Sequence, residues 1–153
     1  MQKNLYLNQK FTKFINNENF EFDRSKILKI LNSDFLEDAY KTISKWQKYQ
    51  PTPLESLNKL SNELKLKNIF YKDESKRFGL KSFKALGGAY AVEKITKGKK
   101  DVIVSTATAG NHGKSVAWGA KNLGLNCKIF ISENVSETRA EEMRNLNAEV
   151  IRV

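Results

Sequence analysis

The second half of this sequence alternates short apolar runs with longer segments of helical character. The apolar runs begin at Val102, Lys128 and Glu149, and the segments between them have helical periodicity over about 112–123 and after a capping Ser136. These strands recur roughly 20 to 25 residues apart, the spacing of parallel βαβ units, because a helix must carry the chain back before the next strand begins. We therefore predict an α/β fold with a three-layer parallel sheet.

The first half is less regular. Residues 1–32 are predicted to form an arm that lies on another surface, since they are rich in phenylalanine. Ser33 is a predicted N-cap of an amphipathic helix, which the prolines at 51 and 53 separate from a second helix. Ile69, Phe70 and Tyr71 are predicted to form a buried strand. The predicted division is residues 1–50 (arm and helix) and residues 51–153 (a catalytic fold).

Composition limits the class of protein. With 153 residues, 40% of them hydrophobic, the chain can bury a real core. The net charge of +10 raises the possibility of a basic nucleic-acid-binding module, but the lysines are scattered among acidic residues, so a solvated surface is favoured and no nucleic acid is predicted. The single Cys127 allows no internal disulfide, and no signal peptide or membrane-spanning run is present, so we expect a cytoplasmic protein.

Lys84 occupies an unusual position in the stretch KDESKRFGLKSFKALGGAYA (72–91). It begins a predicted helix over about 84–96 whose small residues allow close packing. A lysine in the first turn faces the positive end of the helix dipole, and burial there favours a neutral amine that can attack a carbonyl. The alternative is an ordinary surface lysine.

A second motif, STATAGNHG (105–113), follows a predicted strand and precedes a helix. In parallel sheets this is where ligands bind, and the free amides of the helix N-terminus suit a carboxylate. Asn111 offers a neutral donor and acceptor; the alternative is that it only caps the helix. His112, the only histidine, is interpreted as a structural residue rather than an acid–base catalyst.

Together, Ser82-Phe83-Lys84 and Thr108-Ala-Gly-Asn-His112 resemble the lysine and asparagine loop of fold type II pyridoxal-phosphate enzymes, the tryptophan synthase beta-like family. With YQPTPL (49–54), KDESKRFG (72–79) and the segment from Phe83 to Ala91, the sequence is similar to the diaminopropionate ammonia-lyases over roughly two-thirds of its length. The resemblance implies the parallel-sheet fold of that family and pyridoxal 5'-phosphate as cofactor.

The resemblance also implies roles for individual residues. Lys84 would hold the cofactor covalently and move the alpha proton of the substrate, Phe83 would pack near the cofactor ring, and Asn111 would bond the cofactor's 3-hydroxyl oxygen. The residues implied to line the site of the substrate carboxylate are Thr108, Gly110, Asn111 and His112. The implied reaction is α,β-elimination on a small amino acid resembling 2,3-diaminopropionate, which yields a 2-oxo acid and ammonia, and the full-length form is expected to be a homodimer.

Two features depart from the family pattern. Ala109 stands where diaminopropionate ammonia-lyases carry an aspartate, which makes a threonine, serine or hydroxyaspartate dehydratase the alternative function. The motifs KDESKRFG (72–79) and AGNHG (109–113) disfavour a β-replacement enzyme of the cysteine synthase kind. The glycine-rich phosphate cup of the family has no counterpart in these residues. We therefore expect the sequence to be the N-terminal part of a longer enzyme, with the fold incomplete at the C-terminus and the fragment alone inactive.

Overall fold

The computed structural model describes residues 23–153, which divide into two compact units. The first unit, within Met1–Ser33, contains helix α1 (Arg24–Ile30). The Asp23 side chain caps α1 by accepting hydrogen bonds from the backbone N–H groups of Ser25 and Lys26. Residues 1–22, which include most of the predicted arm and its phenylalanines, lie outside the described part of the chain.

The second unit, Asp34–Val153, contains the remaining elements. A short 3-10 turn, Arg77–Gly79, precedes the fourth helix. The helices and strands are, in chain order, α2 (Ser33–Ile43), β1 (Leu54–Ser56), α3 (Asn58–Glu63), β2 (Phe70–Lys72), α4 (Lys84–Thr96), β3 (Ile103–Ala107), α5 (Asn111–Asn122), β4 (Asn126–Ile131), α6 (Glu137–Arg144) and β5 (Ala148–Arg152).

Strands β3, β4 and β5 form a parallel sheet in that order. Val104 lies opposite Cys127, which in turn lies opposite Ala148, so the inward-facing positions are in register across all three strands. Helix α5 connects β3 to β4, and α6 connects β4 to β5. The predicted parallel βαβ architecture is confirmed.

The core lies between this sheet and helices α5 and α6. Alternate residues of β4 are buried because side chains of a strand point to opposite faces in turn. The buried cluster comprises Val92, Val116, Ala117, Ala120, Cys127, Ile129, Ile131, Ala140, Met143 and Ala148. On the opposite face, Ile103, Ser105 and Ala107 are exposed, so among the described residues the helices cover one face of the sheet.

The first half of the second unit differs from the prediction in burial. Strands β1 and β2 pair antiparallel, with Leu54 opposite Lys72. Phe70 and Tyr71 are 60% and 50% exposed, so the prediction of a buried strand over 69–71 is wrong in its burial. Within residues 23–153, no further layer covers the apolar side chains of this two-stranded ribbon. No described helix is long and apolar enough to cross a membrane.

The predicted helix boundaries are closely matched elsewhere. Helix α2 begins at Ser33, and α4 begins at Lys84 and ends at Thr96 as predicted. Ser136 occupies the N-cap of α6 but its side chain makes no capping hydrogen bond. The predicted boundary between residues 50 and 51 stays a prediction.

Candidate functional site

Lys84 is the first residue of α4, and it follows a tightly wound turn. Phe78, Gly79 and Lys81 all have positive φ values of 48°, 75° and 57°. The Oγ of the buried Ser82 accepts a hydrogen bond from the Lys84 N–H at 3.2 Å, which satisfies one of the free amides of the helix N-terminus. The Lys84 side chain is exposed, as is Phe83 at 62%. The expected burial of Lys84 is therefore not found within the described residues.

The buried guanidinium of Arg77, in the same turn, joins two segments of the chain. Its Nε and Nη2 donate to the two carboxylate oxygens of Glu74 at 2.7 and 2.9 Å. Nη2 also donates to Thr52 Oγ1, and Nη1 donates to the carbonyl oxygen of Gln50, both at 2.9 Å. Charge-assisted bonds in a fork geometry are the strong ones, so this network fixes the turn against the segment that contains the two prolines.

An aromatic cluster of Trp46, Tyr49, Phe78 and Trp118 extends from the same turn. Phe78 stacks on Trp118 of α5 with ring centroids 4.6 Å apart, and Trp46 meets Trp118 edge to face at 5.5 Å. The Trp46 Nε1–H donates to Glu93 of α4 at 2.6 Å. The turn before Lys84 is thereby attached to both α4 and α5.

Helices α4 and α5 pack closely, because a glycine of each helix faces a small residue of the other. A Cβ at Gly88 would lie 2.2 Å from Ser115 Oγ, and a Cβ at Gly119 would lie 2.8 Å from Ala89 Cα. Ser115 contacts Lys84 and Gly88, whereas Gly119, one turn later in α5, contacts Ala89, so the contacts advance in the same direction along both helices and the helices run parallel. Lys84 and Asn111, their first residues, therefore lie at the same end of the pair.

The loop between β3 and α5 is held to the neighbouring strand. The Thr108 N–H donates to the Phe130 carbonyl oxygen of β4 at 3.0 Å. A Cβ at Gly113 would meet Thr108 Cγ2 at 3.0 Å, so only glycine fits comfortably there. The loop therefore leaves the carboxyl edge of the parallel sheet and turns directly into α5.

Asn111 is not the cap of α5. Gly110 occupies the N-cap, and no side-chain capping hydrogen bond is formed there. The alternative that Asn111 serves only as a helix cap thus loses its geometric basis. Asn111 and His112 are both exposed, and Thr108, Ala109 and Gly110 are half-buried. A cavity of about 280 Å³ beside the loop is lined by Ala109, Gly110, Asn111, Lys114, Arg139, Glu142 and Met143.

The structure brings the two sequence motifs together at one end of the α4–α5 pair. Lys84 and Phe83 come from the first motif, Asn111 and His112 from the second, while Thr108 and Gly110 lie between the sheet edge and α5. Sequence reasoning missed Arg77 and Ser115, which are 6% and 0% exposed. A serine inside a run of small helical residues was the available signal for Ser115.

Comparison with known proteins gives a consistent result. A family model described as pyridoxal-phosphate dependent enzyme matches residues 45–153. Diaminopropionate ammonia-lyase from Escherichia coli strain K12 is 40% identical over 121 residues, 67% of this chain and 30% of that protein. An L-threonine dehydratase from Haemophilus influenzae is 36% identical over 121 residues, 78% of this chain and 23% of that protein.

Solved structures have the same fold. The apo diaminopropionate ammonia lyase from E. coli aligns with a TM-score of 0.73 at 38% identity, over 79% of this chain and 36% of that one. The same enzyme in complex with an aminoacrylate-PLP azomethine reaction intermediate aligns at 0.74 and 38% identity, over 79% of this chain and 34% of that one. The chain thus spans about a third or less of the length of the curated relatives it matches, 30% for the E. coli lyase.

Proposed function

This chain belongs to the family of pyridoxal-phosphate dependent enzymes, and from that premise we propose that it carries part of the active site of an ammonia-lyase. The proposed reaction is α,β-elimination on a small amino acid resembling 2,3-diaminopropionate, with a 2-oxo acid and ammonia as products. The observation that supports the proposal is that Lys84 and Asn111 begin two closely packed helices, with Lys84 bonded to Ser115 one turn after Asn111.

The side chains at this place suit the cofactor chemically. Pyridoxal phosphate, when bound, draws electron density away from the α-carbon of an amino acid. Lys84 has the exposed primary amine that can hold the cofactor's aldehyde and then take the α-proton at its Nζ. Asn111 has the neutral amide that can bond the 3-hydroxyl oxygen, and Phe83 supplies an exposed ring beside Lys84.

The substrate carboxylate is assigned to the start of α5. Backbone N–H groups at a helix N-terminus have no partner inside the helix and carry a partial positive charge, so they bind anions. The residues proposed to line this carboxylate site are Thr108, Gly110, Asn111 and His112.

A dehydratase acting on threonine, serine or hydroxyaspartate is the second candidate. Ala109 gives the loop no carboxylate with which to bind a second amino group of the substrate. The 36% identity to an L-threonine dehydratase supports the same alternative. Measuring 2-oxo acid release from 2,3-diaminopropionate, threonine, serine and hydroxyaspartate at equal concentrations distinguishes the two, since the larger kcat/KM identifies the substrate class.

The proposal is tested by trapping the lysine that binds the cofactor. The full-length protein is loaded with pyridoxal phosphate, reduced with borohydride and mapped by peptide mass spectrometry. We expect the label on the peptide that contains Lys84, and its loss together with turnover in Lys84→Ala. Lys97→Ala is the matched control, because Lys97 is an exposed lysine at the other end of the same helix. A label on another lysine would contradict the assignment.

The remaining parts of the proposal concern binding partners, oligomeric state and cellular location. We propose a homodimer in the full-length form, a cytoplasmic location and no binding to nucleic acid or membrane. The alternative of a non-catalytic basic module, based on the charge of +10, is tested by a gel shift with RNA and DNA at two salt concentrations. A specific, salt-sensitive shift without any cofactor binding would support that module instead.

A further inference from the structure

Ser115 makes a contact that neither the motifs nor the proposed chemistry uses. Its side chain is fully buried inside α5, one helical turn after Asn111. The Ser115 Oγ–H donates to the carbonyl oxygen of Lys84 at 2.6 Å, and Oγ accepts from the N–H of Ala89 at 3.1 Å. One hydroxyl of α5 thus bonds the backbone of α4 at two points, and one of these points is Lys84 itself.

The fit of this hydroxyl depends on the residue opposite. A Cβ on Gly88 would lie 2.2 Å from Ser115 Oγ and 2.8 Å from Ser115 Cβ, so the hydroxyl fills the space that glycine leaves. Both neighbours of Gly88 along this face, Ala85 and Ala89, are buried as well. Because the surroundings are close-packed, the hydroxyl can leave neither of its partners without moving a helix.

Two explanations of this contact are possible. In the first, Ser115 only adds stability by satisfying its own buried hydroxyl, as a buried polar group must. In the second, it also sets the distance between the start of α4 and the start of α5. The position of one of its two bonds favours the second, because the Ser115 hydroxyl donates to the backbone of Lys84, the first residue of α4.

We propose that Ser115 is a positioning residue that holds Lys84 at a fixed place relative to Asn111, an inference that rests on the proposed function. The path between the two functional residues is short and has no flexible element: Asn111 and Ser115 share one turn of α5, and the Ser115 hydroxyl bonds the Lys84 main chain. Misplacement of a reacting amine by a fraction of an ångström lowers the rate of chemistry more than the affinity for substrate.

The test compares Ser115→Ala with Ser61→Ala in the cofactor-loaded full-length protein. Ser61 is a matched control, because it is also buried and its hydroxyl donates to a backbone carbonyl, that of Asn58, at 2.9 Å. Three quantities are measured for each variant: the visible absorption band of the lysine-bound cofactor, the rate at which borohydride labels Lys84, and kcat and KM. The urea midpoint of each variant without cofactor records its stability.

We expect Ser115→Ala to shift the absorption band and to lower the labelling rate and kcat roughly threefold to tenfold, the effect of losing the one hydrogen bond to the Lys84 carbonyl oxygen, with KM little changed. Ser61→Ala, which loses one buried hydrogen bond where Ser115→Ala loses two, should also lower the urea midpoint but leave the band, the labelling rate and kcat at their original values. Ser115→Cys keeps a donor at the same branch of the side chain, although a weaker one, so it should give a smaller change in the same direction.

The outcomes separate the inference from the function on which it rests. If Lys84 is labelled in the original protein and Ser115→Ala changes only the urea midpoint, the hydroxyl has a purely structural role and the inference is overturned while the function stands. If Lys84 is not labelled in the original protein, the proposed function is overturned and the positioning role with it. A change in band and labelling rate confined to the Ser115 variants supports the inference.

Discussion

Replacing Glu74 by glutamine should lower the stability of the chain at neutral pH, and the loss should fade in acid. Its carboxylate accepts bonds from Arg77 Nε at 2.7 Å, from Arg77 Nη2 at 2.9 Å and from the Thr52 hydroxyl. These donors, the Arg77 guanidinium first, lower the pKa of Glu74 from its ordinary value of 4.5 to about 2.

The size of the effect follows from linkage between protonation and folding. A carboxyl group whose pKa is lower in the folded state stabilises that state at every pH above its unfolded pKa. The difference between 4.5 and about 2 corresponds to about 3 kcal/mol at pH 7, falling to about 1.5 kcal/mol at pH 3 and lost near pH 1. Glu74→Gln removes this contribution, so the gap between the two proteins should narrow between pH 4.5 and pH 2.

The assay is urea unfolding followed by tryptophan fluorescence at pH 7, 5 and 3. Both tryptophans, Trp46 and Trp118, belong to the aromatic cluster beside this network and report directly on it. Glu55→Gln is the control, because Glu55 is an exposed glutamate of β1. A loss in Glu74→Gln that is the same at pH 7 and pH 3, or no larger than in Glu55→Gln, would refute the reasoning.

Three further predictions concern α4, α5 and the core. Gly88→Ala should destabilise the chain by about 1–3 kcal/mol, because its methyl group would lie 2.2 Å from Ser115 Oγ. Gly87→Ala, whose methyl group would meet open space, should instead stabilise the chain by about 0.5–1 kcal/mol. Equal urea midpoints for the two variants would contradict this prediction. Asn111→Ala should weaken pyridoxal-phosphate binding by about 1.5–3 kcal/mol, measured by absorbance titration, and an unchanged affinity would remove Asn111 from the site. Burial raises the pKa of the Cys127 thiol, so a thiol reagent should label Cys127 only in urea, and fast labelling of the native protein would disprove its burial.

The sheet and its helices could be predicted because local pattern and tertiary environment agree there. Ile129 and Ile131 alternate with half-buried residues along β4, and the small residues of α5 leave room for the sheet. Helix α4 begins at Lys84 as predicted, since the preceding turn with three positive φ values cannot continue a helix. In these elements the local helix or strand propensity, the hydrophobic pattern and the packing all favour the same structure, so the prediction from sequence is correct.

The exposure of Phe70 and Tyr71 could not be predicted for a physical reason. A three-residue apolar run has no period, so it carries no information about which face, if any, is covered. The contact between Ser115 and Gly88 could not be predicted either. These residues lie 27 positions apart in the sequence and are in contact only because helices α4 and α5 pack together in parallel. Such contacts depend on the fold and not on local sequence.

The reactivity of a lysine depends both on where its backbone is held and on what surrounds its amine, and at Lys84 these two factors are separate. Its position is fixed by neighbours within the described residues: the Ser82 hydroxyl on its N–H and the Ser115 hydroxyl on its carbonyl oxygen. Its environment is not, because the side chain lies exposed next to the exposed ring of Phe83. Among the described residues, no packed layer covers this side chain. The packing of α4 against α5 therefore fixes the position of the Lys84 backbone. Desolvation of the Lys84 amine would require a further surface that covers Lys84 and Phe83.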